Sequence, residues 1–362
     1  MTGNSRVTRL FALLLCAQLL SAIPAVAQPS SEPLTRIAFG SCADEEQPQP
    51  IWDAVLAYRP QLFLFAGDNV YGDVREGRPV PEADLIEGLA ESYARARKVP
   101  GLMAVKNTIP HLATWDDHDF GKNDAGAEFA GKREAQKLFL DFWDVPEGDP
   151  RRSRDGVHHA RTYGPEGMRV QVIMLDTRFF RSPLKPTDER GASGKERYLP
   201  DADPSKTMLG QEQWSWLAER LREPAELRLI VSSIQVLADG HGWERWGNFP
   251  RERQRLFDLI GETKASGVVL LSGDRHIGGL YREGAGTPYA LTEITSSGLN
   301  RTFPGNREPG PNRIGAVYGA ANFGTLDIDW WEGTITLSLR AENGEAVRRT
   351  TLSLQDLSVP RR

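Results

Sequence analysis

The chain has two cysteines in 362 residues, and only Cys42 lies beyond the first 27. A disulfide framework downstream of residue 27 is therefore excluded, and the lone thiol is either a small buried apolar group or one kept for its thiolate. Long hydrophobic runs are scarce too. The run Leu10 to Leu20 is far shorter than the ~20 residues that cross a bilayer, and no later stretch replaces it. Clusters of basic residues are missing and the formal net charge is −5, so bulk electrostatic attraction to nucleic acid is not expected. There is no internal repeat and no low-complexity segment.

What the chain does have begins with a leader-like start. Residues 1–27 carry Arg6 and Arg9 without an acid, then the apolar run, then Ala25-Val26-Ala27, the small-x-small pattern of a signal-peptidase site. No twin arginine is present, and Leu15 before Cys16 fits a lipoprotein cleavage box poorly, so a general-secretory leader cleaved near Ala27 is expected. Residues 28–362 are then a single mature domain in the periplasm or outside the cell, with Cys42 unpaired in an oxidising compartment.

Short apolar, β-branched runs ending in polar pairs alternate with helical periodicity. They predict strands at 36–40, 62–66, 111–115, 169–175, 227–232 and 268–272, and helices at 50–58, 82–98, 132–142, 210–221 and 251–263. Residues 177–208, rich in Gly, Pro and charge, read as a long surface loop. From Gly279 onward helices stop, and strands are predicted at 290–295, 325–330, 334–339 and 347–354, with Glu342-Asn343-Gly344-Glu345 as a hairpin turn. A second, mostly antiparallel sheet from this last third, packed on the first, gives an α/β chain: a two-sheet αββα sandwich with its helices outside.

Ligands of such a fold gather beyond the carboxyl ends of the strands. Five polar clusters stand there: Gly40-Ser41-Cys42, Ala66-Gly67-Asp68-Asn69-Val70-Tyr71, Trp115-Asp116-Asp117-His118-Asp119, Ser232-Ser233-Ile234-Gln235 and Ser272-Gly273-Asp274-Arg275-His276. Each alone has an ordinary explanation, since Gly-Asp after a strand turns the chain and an Asp pair caps a helix. Together they bring more carboxylates to one edge than a structural role needs. Gathering such charges without a cation costs several kcal/mol per buried ion, and metal ions remove that cost. Cys42, Asp68, Tyr71 and His276 form a set of mixed softness that suits a redox-capable or Lewis-acidic transition metal, with ferric iron a natural partner for the phenolate. Asp117, Gln235 and Asp274, sharing Asp68 as a bridge, form a harder oxygen set that favours Ca2+, Mg2+ or Mn2+ over zinc. If the strand continues, Asp274 and His276 project to the same side.

Taken in order, and joined by Leu175-Asp176-Thr177-Arg178 and Thr295-Ser296-Ser297-Gly298-Leu299, these blocks resemble the alkaline phosphatase D family of the calcineurin-like metallophosphoesterases over about residues 35–300. The Gly-Asp-x-x-Tyr element is also similar to that of purple acid phosphatases. Asp117-His118-Asp119, however, stands where those enzymes have Asn-His-Glu or Asn-His-Asp, and Gly273-Asp274-Arg275-His276 where they have Gly-His-x-His. Oxygen thus replaces nitrogen, as the resemblance to a calcium-using branch implies. Larger members carry an extra N-terminal β domain, which is not expected here because the likeness starts near residue 35.

The resemblance implies a metal-dependent hydrolase of small phosphoesters with an alkaline optimum, using Fe3+ and Ca2+, or Mn2+, Mg2+ or Zn2+ in their place. His118 is the candidate for protonating the leaving group or holding the phosphate, with Asp119 or Asp116 orienting its ring. Asp116 and Asn123 are further candidates for metal binding or its support. Arg178 and Arg275 follow predicted strands and suit phosphate oxygens, and Trp243 and Trp246, in a 239–250 loop with His241 and Asn248, suit an aromatic wall. His111, His158 and His159 are assigned no part. Two other readings stay open: a phospholipase-type phosphodiesterase, which needs room for a second ester arm, and a secreted module that binds metal without turnover.

Overall fold

The computed structural model describes residues 32–306 and 308–359, so the expected leader lies outside the described residues. Strands β1 (Arg36–Gly40), β2 (Leu62–Ala66) and β3 (His111–Thr114) run parallel, connected through helices α1 (Ile51–Tyr58), α2 (Leu85–Ala96) and α3 (Pro100–Thr108). Their side chains alternate with the period of two that a strand imposes. Ile37, Phe39, Leu62 and Leu64 face the core between the sheets. Ala38, Phe63 and Phe65 face a second core shared with Trp52 of α1, Leu89 of α2 and Phe139 of helix α5 (Lys132–Phe142).

The other sheet is centred on β5 (Val170–Met174), β6 (Leu227–Ser232), β7 (Val268–Ser272) and β9 (Leu291–Ser296), all parallel. It is edged by the antiparallel β4 (His159–Tyr163) and β8 (Gly278–Glu283) in the order β8-β9-β7-β6-β5-β4. The central strands are buried along their whole length, as sheets covered on both faces require. Helices α6 (Gly210–Arg222) and α7 (Pro250–Glu262) cover this sheet with Trp214, Leu217, Leu256 and Ile260.

The last third does not form a sheet of its own, contrary to the sequence expectation. β9 joins the second sheet in parallel, whereas β10 (Asn322–Asp329), β11 (Thr334–Ala341) and β12 (Ala346–Ser353) extend the first in the order β12-β11-β10-β1-β2-β3. The physical reason is the open edge of β1. The progression from β1 to β3 leaves it a row of unpaired backbone groups, which β10 satisfies. Periodicity in sequence carries no information about which edge a strand will join. The hairpin turn forms as expected, with Gly344 at φ 85°. Helix α3 and the edge strands β4 and β8 were not anticipated. The 177–208 loop holds little regular structure beyond the pairing of Lys185–Pro186 with Tyr198–Leu199.

The two sheets meet at their carboxyl ends. Ser41, just after β1, bridges Ser297, just after β9, and the Ser41 carbonyl accepts from the N–H groups of Gly298 and Leu299 at 3.1 and 3.0 Å. Loops leaving both sheets are thereby brought to one place. Among the described residues no helix is long and apolar enough to cross a membrane.

Candidate metal centre

At that junction Cys42 Sγ lies 3.3 Å from Asp68 Oδ2, and Tyr71 Oη lies 3.2 Å from His276 Nε2 and 3.5 Å from Asp68 Oδ2. Donor atoms of Cys42, Asp68 and His276 all fall within 4.8 Å of one another. The same holds for Asp68, Asp117 and His118, for Asp116, Asp117 and Asp274, and for Asp117, Asp124 and Glu244. Asp68 and Asp117 recur because they stand where neighbouring groups overlap, which is the position a shared ligand must have.

Backbone geometry aims these side chains. Cys42, Asp68, Asp274 and His276 adopt left-handed conformations at φ 63°, 48°, 69° and 56°, each costing about 1–3 kcal/mol in a non-glycine residue. Strand β7 therefore stops at Ser272, and Asp274 and His276 converge by way of a kinked loop rather than by strand alternation. Surrounding bonds hold the strain. Ala43 N–H donates to the Asp68 carbonyl (2.9 Å), Gly273 N–H to the Ser233 carbonyl (2.9 Å), and His276 N–H to Ser297 Oγ (2.6 Å). Gly67, at φ 103°, has to be glycine, because a Cβ there would sit 2.6 Å from the Asp116 Cβ.

Burial sets the electrostatics. It pushes the Asp68 carboxyl well above the ordinary value, and Asp117, Asp116, Asp119 and Asp274 add to the effect. Asp274 is raised by burial and by Asp116, and the Cys42 thiol by burial and by Asp68. His276 is lowered to about 3 by burial and by the positive charges of His118, Arg275 and Arg301, so it is a neutral imidazole able to ligate. Burial also opposes charge on His118, but Asp117 and Asp73 outweigh it and raise this ring to about 10. Carboxyls whose charge is disfavoured by burial, beside a neutral imidazole, are groups that a cation would ionise.

Several expected residues take other parts. Asp119 does not orient His118. Its carboxylate accepts from the backbone N–H groups of Asp68 (3.2 Å), Asn69 (3.1 Å) and Asp116 (2.5 Å), tying the β2 loop to the short helix α4 (Asp117–Phe120). The partner of His118 Nδ1 is Asp73 Oδ1 at 2.5 Å, and Asp73 Oδ2 accepts from Asn123 N–H at 2.8 Å. Asp73 ends the same loop as Asp68, and its spacing in Gly67-Asp68-Asn69-Val70-Tyr71-Gly72-Asp73 is the signal that could have found it. Gln235 does not line the cleft with the acids, and its amide is engaged by Tyr281 Oη (3.1 Å), Thr295 Oγ1 (3.0 Å) and His241 Nε2 (3.2 Å).

Arg178 has no exposed surface, and its guanidinium is taken up by Asp116 and by Glu244 (2.6 Å), with Asp117 at 3.9 Å, so no face is left for a phosphate. Asp116 accepts from Arg178 Nε and from Ser233 Oγ at 2.6 Å each. Trp246 is core, packed edge-on to Trp214 at 6.2 Å and donating to Ser232 Oγ. Trp243 and Arg275, by contrast, line a cleft of about 210 Å3 with Asp68, Asp117, His118, Asn123, Asp274 and His276. Asp124, Arg197, Glu244 and Phe303 line it too. Arg197 and Phe303 belong to distant loops and carry no local signal.

A two-sheet sandwich with a thiol, a phenol, imidazoles and carboxylates gathered at the strand ends defines the metallophosphoesterase type of fold, with groups able to hold metal ions. Within that type, the chain belongs to the PhoD-like phosphatase family, whose sequence model matches residues 37–309. It is 23% identical over 280 residues to alkaline phosphatase D of Bacillus subtilis (strain 168), a match that spans 67% of this chain but only 46% of that protein. The solved structure of PhoD superposes with a TM-score of 0.67 at 17% identity, covering 90% of this chain and 70% of the other. A purple acid phosphatase from yellow lupin (Lupinus luteus) seeds gives 0.57 at 12% identity, covering 90% and 55%. These two structures bear out the expected sandwich.

Proposed function

We propose that the protein is an exported, metal-dependent hydrolase of small phosphoesters. The observation that carries this reading is the run of overlapping donor groups, Cys42–Asp68–His276, Asp68–Asp117–His118 and Asp116–Asp117–Asp274, with Asp68, Asp117, His118, Asp274 and His276 lining one cleft. The donor set fits metal: Cys42, Asp68, Tyr71 and His276 would hold one ion, with ferric iron suiting a thiolate and phenolate together, while Asp68, Asp117 and Asp274 would hold a harder ion such as Ca2+. Bound there, the ions supply Lewis acidity toward the phosphoryl oxygens and acidify a water. Export is supported by the leader pattern of residues 1–27, with residues 28–362 as the mature domain.

The chain's own residues handle the leaving group. His118 lines the cleft and is bonded at Nδ1 by Asp73, and Asp117 and Asp73 raise its ring to about 10, which favours the protonated form. It is therefore placed to give a proton to the departing oxygen, while Asp73 fixes the ring and Tyr71 stacks on it at 4.2 Å. A volume of about 210 Å3 suits a small ester better than a lipid-sized diester.

Elemental analysis with a visible spectrum tests this directly. Purified protein should contain metal, and a ferric tyrosinate band should vanish in Tyr71→Phe. Asp68→Ala should lose metal and reduce nitrophenyl phosphate turnover to background. Normal turnover in that variant ends the shared-ligand reading, and a colourless protein with two zinc ions ends the iron assignment.

A further inference from the structure

Three loops meet in the lining of the cleft, and one aromatic ring joins them. The guanidinium of Arg197 lies over the ring of Trp243 at 5.0 Å and that of Arg275 at 5.1 Å. Trp243 itself is anchored. Its backbone N–H donates to His241 Nδ1 (3.2 Å), and the neighbouring Gly242 carbonyl accepts from the backbone N–H groups of Arg197 (3.0 Å) and Tyr198 (2.7 Å). Each arginine is held by one carboxylate and is not used up by it. Arg197 bonds Asp124 through Nη1 at 2.6 Å, and Arg275 bonds Glu308 through Nη2. Arg275 is 7% exposed, lines the cleft, and its buried Nε–H has no partner. A buried, unpaired N–H on a cation is a costly feature unless something polar completes it.

We propose that Trp243 is a positioning residue that holds Arg197 and Arg275 as a clamp for a second anionic group, so that the site selects phosphoesters bearing a further carboxylate or phosphate beside the scissile one. This rests on the reading of the cleft as a phosphoester site. With the scissile group at the metal-ligand acids, a second anionic group held in so small a cleft lies within reach of Arg197 and Arg275, which line the same cleft. Arginine suits that task because its planar fork keeps N–H groups to spare after pairing with one carboxylate.

The test is binding, measured by calorimetry on the metal-loaded protein with phosphonoacetate and with methylphosphonate. Wild type should bind the first at least roughly tenfold more tightly, the worth of one charge-assisted hydrogen bond. That ratio should fall toward one in Arg275→Gln, in Arg197→Gln and in Trp243→Leu, the last with both arginines still present, while metal content by elemental analysis matches wild type. A wild-type ratio near one, or a Trp243→Leu variant that keeps the wild-type ratio, overturns the proposal. Selective binding without ester turnover removes the hydrolase reading and leaves the clamp standing. Turnover without selectivity does the reverse.

Discussion

Asp116 and Glu244 are buried as deeply as Asp68, at 0%, 2% and 1% exposure, yet their surroundings differ in one respect. The first two share the guanidinium of Arg178, which the fold supplies from the loop after β5. Among the described residues Asp68 and Asp274 have no ion pair, and burial together with neighbouring acids pushes their carboxyls well above the ordinary range. Burial of charge is tolerable when a counter-charge is built in, and otherwise it is held open for one that arrives. The protein thus has two acid clusters side by side, one already paired with arginine and one suited to metal.

Removing the built-in cation should have the largest effect. Arg178→Met leaves Asp116 without an ion pair and Glu244 with Arg181 alone, and urea unfolding should show a loss of about 3–5 kcal/mol; an unchanged midpoint would mean that the acids are protonated or hydrated. Next comes the cluster without a cation, read through pH. A carboxylate whose folded pKa is raised contributes stability below its unfolded value and loses it as pH rises. Metal-stripped protein should therefore weaken from about pH 3.8 upward as Asp68 and Asp274 are forced to ionise, by roughly 1.4 kcal/mol per pKa unit moved at each group. Metal-loaded protein should lack this decline, so the difference in Tm between the two forms should widen with pH. A constant difference would separate the acids from the metal. The smallest effect is expected at Asp73, which acts through His118. Asp73→Asn should reduce kcat by roughly ten- to a hundredfold. It should also move the alkaline limb of the pH profile to lower pH, since one of the two charges that raise the imidazole is gone. A limb that stays in place would assign that limb to another group.

Much of this was legible because motifs sit where strands end. The predicted parallel strands, Cys42, Asp68, Tyr71, Asp117, Asp274 and His276 needed only local pattern and residue chemistry, and the structure brings those six together. Arg178 and Trp246 misled for the opposite reason: local pattern says that an Arg or a Trp follows a strand, not whether its side chain turns to solvent or core. Asp119 was read as a partner for its neighbour, whereas its four nearby N–H groups come from the Asp68–Asn69 loop and from Asp116.

From the order of residues alone came the strand-and-loop grammar, the donor types and the class of chemistry, because hydrophobic period and ligand softness are properties of short segments. Tertiary structure decided which sheet the last strands joined, which acid fixed His118, which acids received an arginine, and that Arg197 and Arg275 meet over one tryptophan. Those outcomes depend on contacts between segments far apart in the chain, and their energies come from burial and charge pairing that no local window contains.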